Sequence, residues 1–173
     1  MIHSYNGHFE SVCYHPLFPF NSHTDCLTAK LRPGNVHSAD DWDELLLAEI
    51  EREQAEGKEL AFRADAAFAK PEIYEALEKR GVVYVIRLPA NESREWEVAE
   101  ILFRPPGTPS HKPLVRYKSF AYQAGSWTKP RRIVAKVEHY PGELFPRVGF
   151  IATNLGLLGR AVVRFYKRGT AEQ

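Results

Sequence analysis

FRADAAFAKPEIYEALEKRGVVYVIRLP, Phe62 to Pro89, is the stretch on which the reading of the fold turns. Leu60 to Ala64 has the composition of a short strand. Pro71 suits the first position of a helix, where a missing N–H costs nothing, and Gly81 suits its end. VVYVIRLP is a nearly continuous β-branched and apolar run, the pattern of a strand buried on both faces. Strand, helix and strand in this order predict an α/β core with the strands side by side. Asp65 then falls at the carboxyl end of the first strand, where the edge of an α/β sheet opens into a crevice. A lone Asp between two alanines is also a common turn former, so Asp65 by itself carries little.

Upstream, residues 9–31 alternate loosely and are rich in β-formers, which predicts two strands joined through Pro16 to Asp25 as a hairpin. The loop RPGNVHS follows. Ser38 with Asp41 has the spacing of a capping box ahead of a helix over residues 40–57, whose apolar stripe is Trp42, Leu45, Leu46, Glu49 and Ile50. Downstream of Pro89 the character changes. Asn91 to Phe103 reads as one short amphipathic helix around Trp96, Ala99 and Leu102, and RPPGTPSHKP as a loop. LVRYKSFAYQ, RRIVAKVEH and RVGFIATNL are three strand-like segments, read as a β-rich insertion or a second antiparallel layer. Helix formers return over Gly159 to Tyr166. The boundaries are therefore a core over 1–90, a β-rich part over 91–156 and a terminal helical region over 157–173.

With 173 residues, 44% hydrophobic and 26% charged, the chain can enclose one sizeable core. No apolar run approaches the roughly 20 residues of a membrane span, and MIHSYNGHFE lacks the profile of a secretory signal, so a cytoplasmic location is expected. Two cysteines, Cys13 and Cys26, are too few for a disulfide framework and are expected to be free thiols. A net charge of +1 argues against a simple basic nucleic-acid binder, but the charge is unevenly spread. Nine acids lie between Asp40 and Glu59, whereas Ile101 to Val137 holds eight lysines or arginines and no acid. That run is either a solvated face or a surface for phosphate backbone. Trp127, flanked by Ser126 and Lys129, belongs to core or hairpin packing, with stacking on an exposed base as the second reading.

Cys13, His15, His23 and Cys26 are ligand types that suit zinc, but their spacings form no strong zinc pattern, and a buried cysteine with turn histidines accounts for them. No glycine-rich phosphate loop, Gly-x-Ser-x-Gly elbow or His-Glu-x-x-His helix is present. Two carboxylates distant in sequence, Asp65 and Glu172, could meet around Mg²⁺ or Mn²⁺, hard cations that take oxygen ligands.

Longer strings say more. YNGHF (5–9), CYHPLF (13–18), LRPGNVHSADDW (31–42), FRADAAFAKPEIYEALEKRG (62–81), IRLPAN (86–91), RRIVAKVEHYPGELFPRVGFIATNL (131–155) and RGTAEQ (168–173) resemble the DDE transposases of bacterial insertion sequences, in particular the group called transposase DDE domain group 1. The resemblance runs over nearly the whole chain. It implies an RNase H-like mixed sheet with flanking helices and a β-rich insertion before the last catalytic helix. On this view residues 1–90 are a partial catalytic core, 91–156 the insertion and 157–173 the start of the last catalytic helix region. The implied activity is metal-dependent DNA cleavage and strand transfer, with DNA, as transposon ends and target, for a partner and a homodimer for the intact enzyme.

The family uses two aspartates and a glutamate to hold two divalent metals, one activating the attacking water or 3′-hydroxyl and the other stabilising the leaving oxygen. The second Asp of its motif matches Asp65 and the Glu matches Glu172, so these are the implied catalytic and metal-binding residues. Tyr166 and Arg168 resemble a family signature preceding the Glu, with Arg168 implied as a phosphate contact. One residue separates them here where the family usually has two, and the signature's Lys would lie beyond Gln173. Lys129, Arg131 and Arg132 are the expected DNA contacts of the basic segment. The family's first Asp lies upstream of YNGHF, whereas no acid precedes Glu10 here, and neither Glu10 nor Asp25 stands in the matching context. The expectation is thus a chain lacking the first core strand and first Asp, inactive by itself, with an open strand edge prone to pairing or aggregation. The alternative is a non-catalytic DNA-binding or interaction fragment.

Overall fold

The computed structural model describes residues 4–7, 10–104 and 111–167, which form two compact units: one up to Leu60, the other from Ala61 onward.

In the first unit, β1 (Ser4–Asn6) pairs antiparallel with β2 (Ser11–Cys13). The chain then runs out and back as expected, but the two arms meet only at isolated antiparallel bridges, Tyr14 with Pro33, Leu17 with Lys30 and Phe20 with Cys26. Gly34 sits where backbones crowd: a Cβ there would lie 2.6 Å from the Cys13 carbonyl oxygen. Arg32, 1% exposed, clips the arms to the following turn by donating Nε to the His15 carbonyl at 3.0 Å and Nη1 to that of Asp40 at 2.5 Å. Helix α1 spans Trp42–Ala55 and buries Leu45, Glu49 and Ile50. The expected capping box does not form. Asp41, the N-cap, is left-handed at φ 54° and makes no side-chain cap bond; the turn is closed instead by Asp40, whose Oδ2 accepts from the His37 N–H at 2.8 Å. Ser38 is thereby excluded from the capping role.

The second unit is a five-stranded mixed sheet. Its strands are β3 (Ala61–Ala64), β4 (Val83–Leu88), β5 (Leu114–Tyr122), β6 (Arg131–His139) and β7 (Arg147–Thr153), in the spatial order β3-β4-β7-β6-β5. β3 and β4 are parallel, joined through a short 3-10 turn (Ala66–Phe68) and α2 (Pro71–Lys79); the remaining pairs are antiparallel. The three antiparallel strands do not make a second layer. β7 docks on β4 and extends the same sheet, with Asn154 prolonging the junction: its Oδ1 accepts from the Tyr84 N–H at 2.8 Å and its Nδ2 donates to the Val82 carbonyl at 3.0 Å.

Helices cover both faces, which is why β4 reads as continuously apolar: Tyr84, Val85, Ile86 and Leu88 are all buried. On one face, Tyr74 of α2 packs against Tyr84 and Trp127. On the other, α5 (Gly159–Lys167) brings Val162 and Val163 onto Val85, Val134 and Ile151. The single helix expected over 91–103 is broken into α3 (Glu92–Trp96) and α4 (Ala99–Leu102). Val98 at the break is fully buried, while Trp96 is 78% exposed, so the apolar stripe expected around Trp96 is not the buried one. Among the described residues β3 has no partner on its outer side, and no helix is long and apolar enough to cross a membrane.

Candidate functional site

Asp65 stands directly after β3, at the carboxyl end of a parallel strand, as its position in the sequence predicts. It is exposed. Its backbone is still extended (φ −76°, ψ −173°), and its Oδ1 accepts the Ala67 N–H at 2.9 Å, capping the 3-10 turn. One carboxylate oxygen therefore fixes the side chain, and no described residue hydrogen-bonds the other. Strand alternation puts position 65 on the same face as Arg63, which pairs in register with Val85 of the α5-side core. Arg63 in turn reaches α5, its Nη1 lying 3.5 Å from the Phe165 carbonyl oxygen. The strand that precedes Asp65 is thus tied to α5. Glu172 and Arg168 themselves lie outside the described residues.

Arg131 is placed differently from the expected DNA contact. It is 4% exposed on the α2 face, its guanidinium bonded to both oxygens of Glu78 at 2.9 and 3.1 Å and stacked over Tyr74 (4.9 Å) and Trp127 (5.3 Å). Its charge is paired inside the protein, through Nε and Nη2, while the buried Nη1 has no hydrogen-bond partner among the described residues. Trp127, 6% exposed between Tyr74 and Tyr122, belongs to the same cluster, so it packs the core rather than offering a stacking face. Burial by itself would raise the Glu78 carboxyl, but bonds from Arg131, Lys129 and the Tyr84 hydroxyl reverse that and hold it below the usual carboxylate range. Burial raises the phenol of Tyr84, and the neighbouring Glu78 charge raises it further.

The other expected contacts are also engaged. Lys129 is exposed and reaches Glu78 at 3.0 Å. Arg132 donates to the Leu155 carbonyl, to that of Leu157 at 2.7 Å and to the Ser119 hydroxyl at 3.0 Å, so it organises the approach to α5. Tyr166 is half-buried against the α5 core cluster. The acid-free run is acid-free only along the chain. In space, Lys118 meets Glu100 at 2.7 Å, Lys129 and Arg131 share Glu78, and Lys136 pairs with Glu138. A strongly positive strip was expected there, and the fold supplies counterions to Lys118, Lys129, Arg131 and Lys136, four of its eight cations, from α2, α4 and the end of β6.

A different basic grouping escaped the sequence reading. Arg160, Arg164 and Lys167 of α5, with Lys136 of β6, line a cleft floored by Tyr117 and Val163. The i, i+4, i+7 spacing on α5 was its only sequence signal. Cys13 and Cys26 are free thiols, Cys26 exposed, and no group of three or more His, Cys, Asp or Glu residues is arranged for a metal among the described residues.

A mixed sheet covered by helices on both faces, with a tethered carboxylate at the end of a parallel strand, defines an α/β domain whose candidate chemistry lies at the carboxyl edge of the sheet. The family model for transposase DDE domain group 1 matches residues 2–173, and the chain belongs to that family. No curated protein matches it.

Proposed function

We propose that the domain serves metal-dependent cleavage and strand transfer of DNA in transposition, with Asp65 and Glu172 as two of its metal-binding carboxylates. The observation that carries this reading is the setting of Asp65: exposed, at the carboxyl end of a parallel strand, one oxygen tethered and the other open. Family membership supports it and supplies the substrate class. Oxygen donors of this kind fit Mg²⁺ or Mn²⁺, which on the family's pattern would activate the attacking oxygen and stabilise the leaving one. The protein's part is positional. Strand alternation sets Asp65 toward the α5 side, where Arg63 of the same strand touches the helix; Glu172, five residues past α5 in the chain, is the second acid of the proposal. The second reading, a DNA-binding module without catalysis, differs in giving Asp65 no metal.

Mn²⁺ titration separates the two. Paramagnetic broadening is expected to centre on the amides of residues 63–68 and to disappear in Asp65→Asn, with the fold unchanged by circular dichroism. Broadening centred on the acidic helix α1 and indifferent to Asp65 would remove the metal-ligand assignment. DNA partnership and homodimer formation in an intact enzyme belong to the same proposal.

A further inference from the structure

We infer that the cleft between α5 and strands β5 and β6 is a docking surface for the phosphodiester backbone of DNA, with Arg160, Arg164 and Lys167 on the helix and Lys136 on the strand as its contacts. The inference rests on the reading of the domain as one that acts on DNA, and adds a surface on residues that neither the family match nor the sequence motifs single out.

Arg160, Arg164 and Lys167 lie along one side of α5 and span about 10 Å at 1.5 Å per residue. A DNA strand carries one phosphate per about 3.4 Å of duplex axis, so a row of this length is long enough to meet more than one phosphate. Arg160 and Arg164 are exposed and have no ion-pair partner among the described residues, unlike Lys118, Lys129 and Arg131 of the β-rich stretch. Glu138, the acid paired with Lys136, stands against four cations.

The bland account of basic residues on a helix is that they complement the negative end of its dipole. That covers Arg164 and Lys167, which lie in the last turn, but not Arg160. Arg160 sits in the first turn, where the dipole repels a cation, and no acidic residue offsets it there. Lys136 and Lys167 are also held close enough for each to act on the other, and the neighbouring Lys136 charge lowers the Lys167 ammonium below its usual range. A phosphate beside the two lysines would add to the partial neutralisation that Glu138 supplies. The guanidinium forks at 160 and 164 suit bidentate bonding to phosphate oxygens.

Fluorescence anisotropy of a labelled DNA duplex, titrated with the 173-residue protein over a range of salt, tests this. The parent is expected to bind with a steep salt dependence. Arg160→Ala/Arg164→Ala should bind about tenfold or more weakly at low salt and flatten the log–log salt slope by about 2, close to 0.9 for each phosphate left unneutralised. Arg160→Lys/Arg164→Lys should retain most of the slope. In the unsubstituted protein, bound DNA should shield Lys136 and Lys167 from acetylation read by mass spectrometry, a check independent of how the variants fold. Parent binding with an unchanged slope in the alanine pair, or with both lysines still reactive, would overturn the surface and leave the DNA reading standing. No DNA binding even at low salt would overturn both. Arginine-dependent binding to anionic vesicles or an acidic peptide, with DNA excluded, would assign the cleft to another class of partner and overturn the proposal.

Discussion

Replacing Arg131 with alanine is expected to destabilise the second unit by about 3–5 kcal/mol, the range for removing one partner of a buried ion pair. The size follows from what remains. Glu78, its side chain only 17% exposed, would keep Lys129 and the Tyr84 hydroxyl but lose both guanidinium bonds, and Lys129 at 57% exposure compensates little. Tyr74 and Trp127 would also lose the cation stacked between them. Chemical denaturation of Arg131→Ala and of Arg131→Met/Glu78→Leu checks it, the double variant being expected to recover much of the loss because no buried charge is left unpaired. A single variant within about 1 kcal/mol of the parent would show that the pair is not holding the α2 face, since ordinary surface changes stay below that.

The same network sets an acid limit. Glu78 is held below its ordinary value of 4.5, so its contribution is fully present above the unfolded carboxyl pKa and is lost as pH falls through the lower folded value. Stability should therefore decline below about pH 4.5, and Glu78→Gln should be less stable at neutral pH with a shallower acid limb.

No strand transfer above background is expected from a polypeptide of these 173 residues with Mg²⁺ or Mn²⁺, scored on supercoiled plasmid. Two divalent charges about 4 Å apart repel by roughly 17 kcal/mol at an effective dielectric of about 20. On the proposed reading Asp65 and Glu172 bring two negative charges, half of the charge that two divalent cations carry. The deficit falls on the shared site rather than on DNA binding. Asp65→Asn should accordingly bind duplex DNA as the parent does. Robust nicking that disappears in Asp65→Asn would show that two acids suffice and would overturn the expectation of inactivity.

The core of the second unit is written plainly in the chain. Pro71 and Gly81 bracket α2, the apolar run after Gly81 is β4, and RRIVAKVEH is β6 residue for residue, because local backbone preference and burial agree there. The exposed carboxylate at the end of β3 was readable for the same reason. What could not be read was pairing across the sheet. Nothing near Arg131 in sequence announces Glu78, 53 residues earlier, so a buried arginine passed for a surface cation. The break at Val98 was hidden because a helical stripe through Trp96 and Leu102 looked apolar enough, and only the sheet beneath decides which apolar side chain is taken in. The capping box of Ser38 and Asp41 likewise does not form, because Asp40 closes the preceding turn on the His37 N–H and the helix begins only after Asp41.

Helix α5 is gripped near both ends by arginines, Arg132 at the loop before it and Arg63 at Phe165, and on the helix and its approach each donates to main-chain carbonyls, Arg132 keeping a further bond to the Ser119 hydroxyl of β5. Any residue at 155, 157 or 165 presents the same oxygen. Those three positions can therefore drift in evolution, within the limits of packing, without altering the aim of the helix. Constraint is concentrated instead on two donors, so a family comparison should find arginine at 63 and 132 kept more strictly than the residues they hold.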